Sequence, residues 1–170
     1  MGRALAIWAC LAAAPAVADG AEGTVLLAMD GAARALAVWA EDTAHAADGE
    51  GHSFTIWAVD GEDRDFEGDV VMVLSVAPDG DGWAATGQLT HLEGRSFHGA
   101  ILDSDFGAAF AVTELRIEGG AVTLSGLAAG PMGRAQGDTG QNDFSETVPG
   151  AAAFSLVLPE GSVLPPPPPD

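Results

Sequence analysis

Asp-Gly pairs at 30–31, 48–49, 60–61, 79–80 and 81–82 cut the first half of this chain into short pieces. Asp-Gly tolerates the positive φ angles of tight hairpin turns, so each pair marks a place where the backbone doubles back. The runs between the turns are short, apolar and partly alternating. Thr24–Met29, Ala35–Ala40, Ser53–Val59, Val70–Ala77, Trp83–Leu92, Ser96–Leu102, Ala108–Ile117, Ala121–Leu127 and Ala152–Leu158 all read as strands. In Leu115–Leu124, two alternating arms flank the Gly119-Gly120 corner, the clearest hairpin of the set.

Ala32–Ala47 is the ambiguous stretch, because alanine is a poor strand former and a good helix former. The alternation of Arg34, Leu36, Val38 and Ala40 favours strand. Regular short strands joined by turns predict an all-β fold: an antiparallel meander forming a sandwich or a small closed barrel of about eight or nine strands. A faint repeat agrees. Arg-x-Phe-x-Gly occurs at Arg64–Gly68 and again at Arg95–Gly99, each just after a turn, and Asp30-Gly31 with Arg34 is a weaker third copy. A unit of about 30 residues matches a pair of strands with their turns.

Two segments break the pattern. Residues 128–150 show no apolar periodicity and read as a long, disordered loop, since connections beyond about 15 residues are functional or disordered. Residues 159–170 carry Pro165 to Pro169, a run that forms an extended polyproline rod without internal hydrogen bonds and predicts a disordered proline-rich tail.

The first eighteen residues read as a signal peptide. Arg3 supplies the charge, Ala4–Ala14 the apolar stretch, and Ala16-Val17-Ala18 the small residues before a cut preceding Asp19. The expected arrangement is a signal peptide over 1–18, a single domain over 19–158 and the tail. The expected location is periplasmic or extracellular, with no membrane insertion once the leader is gone. Cys10 is the only cysteine and lies within the leader. The mature chain therefore offers no disulfide, thiolate metal site or cysteine nucleophile.

Six arginines, no lysine and 25 acidic residues give a net charge of −19, and removal of Arg3 makes it −20. Such a surface repels phosphate backbones and anionic lipids, so nucleic acid is not an expected partner. It favours a cation or a basic protein. Solubility and an arginine-only composition account for the same balance without a partner.

Chemistry-bearing motifs are sparse. No Gly-x-Ser-x-Gly elbow occurs, and without lysine neither a Schiff base nor a phosphate-binding Gly-x-x-x-x-Gly-Lys loop can form. Glu41-Asp42, Glu62-Asp63-Arg64-Asp65 and Asp103-Ser104-Asp105 could each supply an acid and a base, but so many carboxylates make pairing uninformative. Trp39, Trp57 and Trp83 sit in apolar strand contexts that suit a core better than a sugar platform.

Asp63–Gly68 imitates the first half of a calcium loop, yet its twelfth position is Leu74 where a bidentate glutamate is needed. A looser set of Asp60, Asp63, Asp65 and Asp69 competes with a solvated acidic turn. The histidines carry the sharpest signal. His45 and His52 are seven apart, as are His91 and His98. If residues 92–97 close a hairpin, His91 and His98 become cross-strand neighbours able to share zinc or copper, with Asp103 and Asp105 as further donors. Surface histidines are the plainer alternative.

These observations lead to an exported, acidic β-domain acting as a binding or structural protein, with no catalysis inferred and no cofactor strongly implied. The first alternative is a periplasmic metal-binding protein using zinc, copper or calcium. The second is a carboxylate-based hydrolase.

Overall fold

The computed structural model describes residues 23–39, 42–61, 66–94, 98–119, 121–136 and 141–158. The expected signal peptide and the expected proline-rich tail lie outside them. Ten strands follow one another: β1 (Gly23–Met29), β2 (Ala32–Val38), β3 (Ala44–Asp48), β4 (Gly51–Val59), β5 (Glu67–Asp79), β6 (Gly82–Glu93), β7 (His98–Asp103), β8 (Ala109–Glu118), β9 (Ala121–Gln136) and β10 (Asp143–Leu158). Every pairing is antiparallel, and β10 pairs with both β9 and β1, so the sheet closes on itself.

The ring has eight staves rather than ten. β4 pairs with β2 at Val59↔Ala37 and with β3 at Thr55↔Ala44, so β2 and β3 are two halves of one interrupted stave. β7 and β8 are likewise two halves. Both pair with β6, at Asp103↔Gln88 and Ala111↔Ala84, and both pair with β9, at Leu102↔Met132 and Ala109↔Ala129. A single 3-10 turn, Ser104–Phe106, separates them. The result is an up-and-down closed barrel, and closure removes the exposed sheet edges a sandwich would keep.

Alternation explains the interior. On β5, Val70, Met72, Leu74 and Val76 point inward and are essentially inaccessible, while Val73 between them is 47% exposed. The same period brings Val25 and Leu27 from β1, Leu36 and Val38 from β2, Phe54 and Ile56 from β4, Leu89 from β6 and Phe154, Leu156 and Leu158 from β10 into one cluster. Eight strands enclose a space that side chains just fill.

The 128–150 segment differs from expectation. It is strand over residues 128–136 and 143–150: β9 runs on to Gln136 and β10 starts at Asp143, paired from Ala128↔Ala152 to Met132↔Val148. The alternation here is one of burial rather than of residue type. Ala128 and Met132 are buried while Ala129 is exposed, and the facing Phe154 is large enough to need a glycine across from it. A Cβ at Gly126 would overlap the Phe154 ring. Pro131 and Pro149 face each other across the pair. Pro131 lies level with the gap between β7 and β8, and Pro149 lies just beyond the end of β1 at Met29↔Gly150, so neither proline deprives a neighbouring strand of a donor.

The ambiguous alanine-rich stretch is strand in both halves, β2 and β3. In an up-and-down barrel alternate turns share an end. The turns β1–β2, β4–β5 and β6–β7 therefore lie at one rim, which accounts for the spacing of the faint repeat. The β2–β4 side, through β3, and the β5–β6 and β8–β9 turns form the other rim.

Candidate functional site

The expected metal set does not come together. β6 and β7 pair as His91↔Ala100 and Leu92↔Gly99, two residues away from the register that would set His98 opposite His91. His91 points into the barrel and is 8% exposed, whereas His98 is exposed at the rim. The connection between the strands is longer than a tight turn, and Gly99 adopts a φ of 152° where its α-carbon closely approaches the His91 carbonyl.

Asp103 is buried but occupied. Its Oδ1 accepts from the Asp105 N–H at 2.9 Å and its Oδ2 from Gln88 Nε2–H at 2.7 Å, so it caps the 3-10 turn and ties β7 to β6. Asp105 is exposed. Among the described residues, no group of three or more His, Cys, Asp and Glu gathers around a common point.

Of the looser calcium set, Asp63 and Asp65 lie outside the described residues. Asp69 is fully buried on the outer wall, where it accepts from Trp57 Nε1–H at 3.0 Å and from the Asp60 N–H at 3.4 Å. Asp60 pairs with Arg34 at 3.2 Å. Trp57, Val59 and Leu92 form a small second cluster there, covered by Trp39, Phe66 and Val71. Asp69 thus pins the β4–β5 connection to the barrel. Asp69→Ala should strand two buried donors and destabilise by roughly 1–3 kcal/mol, while Asp69→Asn, which keeps an acceptor, should cost less. Urea titrations of the two variants compare these costs, and equal midpoints would contradict the pinning role.

The polar pair that does form is the other one. His45 on β3 sits opposite Phe54 on β4, and His52 is one inward step along β4 from Phe54. His45 Nε2 and His52 Nδ1 are 3.0 Å apart and share a proton. The ring centres are 5.2 Å apart, so the rings meet nitrogen-first rather than face on. Phe54 stacks on His45 at 4.7 Å, and Trp83 of β6 meets His52 edge-on at 5.8 Å. His45 is 3% exposed, and among the described residues its Nδ1 has no hydrogen-bond partner, as is also true of both ring nitrogens of His91.

Burial lowers the pKa of His45, and the nearby His52 lowers it further; burial alone lowers that of His52. Burial also lowers that of His91, with the Arg34 charge adding to the effect and Glu93, Asp60 and Asp69 opposing it. In all three rings burial is the largest cause, because it disfavours the charged form.

The 3.0 Å separation is that of a hydrogen bond, a little shorter than the roughly 3.3 Å between two imidazole nitrogens on one tetrahedral zinc. Among the described residues no third His, Cys, Asp or Glu joins the pair. The sequence offered a signal for this pair, since Asp48-Gly49 between the histidines is a tight-turn motif, whereas Glu93-Gly94 between the other two is not. Comparison with protein-family models, with curated proteins and with solved structures finds no match to this chain.

Proposed function

We propose that this chain is an exported, acidic β-barrel that acts by binding or as a structural component rather than by catalysis. The supporting observation is the filled interior: every stave contributes apolar side chains to one cluster, so a partner meets the rims or the outer wall.

The wall and the rims differ in charge. Outward positions on β9, β10, β1 and β2 are uncharged, with small residues in rows such as Ala129–Ala151–Ala28–Ala33 and Ser125–Ser155–Thr24–Ala37 and exposed apolar side chains at Leu127 and Val157. Exposed acids sit at the strand ends, with Asp30, Asp60, Glu67, Glu93 and Asp143 at one rim and Glu50, Asp79, Asp81 and Glu118 at the other. Arg34 and Arg134 at the first rim are each paired, with Asp60 and Glu93. A basic protein is the partner class these rims favour.

A lysine-rich peptide should bind the mature chain at low ionic strength and be released by about 0.5 M sodium chloride, where screening is short-ranged. Absence of binding at any ionic strength would count against a basic partner. Export is tested on the same preparation. Intact mass should place the mature N-terminus at Asp19, and retention of Met1 or a lipid on Cys10 would refute that processing.

The metal alternative now rests on His45 and His52, and elemental analysis of the purified protein tests it directly. The hydrolase alternative loses Asp103, whose two oxygens are both engaged.

A further inference from the structure

We propose that β3 is an acid-released strap: protonation of the His45–His52 pair detaches Ala44–Asp48 from β4 while the rest of the barrel stays closed. The strand is poorly anchored by design of its sequence. It has five residues, is the second half of an interrupted stave and, among the described residues, pairs with β4 alone. It is separated from β2 by residues 39–43, where the Thr43 hydroxyl donates to the Trp39 carbonyl at 2.9 Å and accepts from the Trp57 N–H at 3.3 Å.

Its described side chains are Ala44, His45, Ala46 and Ala47, so the one large group that β3 sends into the barrel is the His45 ring. That ring is held by Phe54 behind it and by the shared proton with His52 in front. Beyond the main-chain ladder to β4 and the Thr43 bonds at its start, His45 is the one large side-chain fastening that β3 places inside the barrel, and it is titratable.

Neutral rings share one proton as N–H···N. When both rings carry two protons, the facing nitrogens are both donors, the bond is lost and two like charges meet in an apolar pocket. The groups that face the pair are His45 from β3, His52 and Phe54 from β4, Val76 from β5 and Trp83 from β6. None of these neighbours is a carboxylate that would offset the charge. Glu50 in the adjoining turn and Asp79 at the end of β5 are both exposed. The lowered histidine pKa values agree with a closed state that resists protonation.

Moving β3 outward relieves the repulsion and wets both rings. Each proton taken up only by the open form favours opening about tenfold per pH unit below the ordinary imidazole value of ~6.5. Release uncovers the Gly51–Thr55 edge of β4, an edge to which an extended segment can add by main-chain hydrogen bonds.

Amide hydrogen exchange of the full mature chain at pH 7.5 and pH 5.0, scaled for intrinsic rates, tests the strap. Opening of residues 44–48 should rise at least tenfold more than opening of residues 151–157 in β10. In the double variant His45→Leu/His52→Leu this difference should vanish. Should that variant fail to fold, His52→Gln keeps an acceptor for His45, removes one titrating ring and should shrink the difference markedly. An equal response of β3 and β10 in the wild type overturns the proposal. So does a wild-type difference persisting in the double variant, or in His52→Gln where that is the variant that folds.

Discussion

Stability is expected to fall steeply as the pH drops from 7.5 to 5. The folded-state pKa values of His45, His52 and His91 are lowered, so the unfolded chain takes up protons first as the pH passes through about 6.5. The stabilisation is present in full above that pH and is lost as the pH falls towards the folded values. His45 and His91, 3% and 8% exposed, can each contribute a slope of up to about 1.4 kcal/mol per pH unit over that window. Urea titrations at pH 7.5, 6 and 5 should show the midpoint dropping while the slope with denaturant stays constant. His91→Leu should flatten the profile, because it removes a buried ring whose two nitrogens have no partner among the described residues. A wild-type midpoint that does not change between pH 7.5 and 5 would show that these rings are solvated in the folded chain.

Phe54→Ala should produce the largest loss from a single substitution in the barrel interior. Phe54 is 1% exposed and is the largest of the fully buried side chains. Removing such a ring costs about 3–5 kcal/mol, from lost transfer free energy plus the cavity that neighbours only partly fill. The position matters beyond its volume. The Phe54 ring lies 4.7 Å from that of His45, so the cavity opens beside a buried imidazole and admits water to it. The variant should therefore lose stability at pH 7.5 and show a shallower dependence on pH than the wild type. Equilibrium unfolding of both proteins measures the two effects together, and a loss below about 1 kcal/mol at pH 7.5 would place Phe54 outside the tightly packed core.

Much of the architecture was legible in the sequence, for local reasons. Asp30-Gly31 does turn β1 into β2, with Asp30 at φ 50° and Gly31 at φ 79°. Gly80 and Gly119 likewise take positive φ at the β5–β6 and β8–β9 turns. Val70–Val76 was readable as strand because it is a short, β-branched apolar run bounded by turn residues, although Val71 and Val73 on the outer face are of the same type as the inward residues. The same logic failed over 128–150, where alanine, glycine and proline occupy both faces and the partner's bulk, from Phe154 and Met132, sets the pattern. The candidate site was half legible. Both histidine pairs share a spacing of seven, and spacing alone does not distinguish them. A tight Asp-Gly turn brings His52 within 3.0 Å of His45, whereas the longer β6–β7 connection leaves His98 exposed and His91 buried.

The sequence by itself determined an antiparallel all-β chain with its turns at regular intervals, because period-two patterning and turn chemistry act over a few residues. Tertiary structure alone decided that the sheet closes, through Gly23↔Leu156 to Met29↔Gly150, by joining strands from opposite ends of the chain. It also decided that two staves are interrupted, that Asp69 accepts from the Trp57 indole, and that the buried proton-sharing pair is His45 with His52. Each depends on the register between strands, and a register is set by how side chains fill the closed interior, which no local stretch of sequence contains.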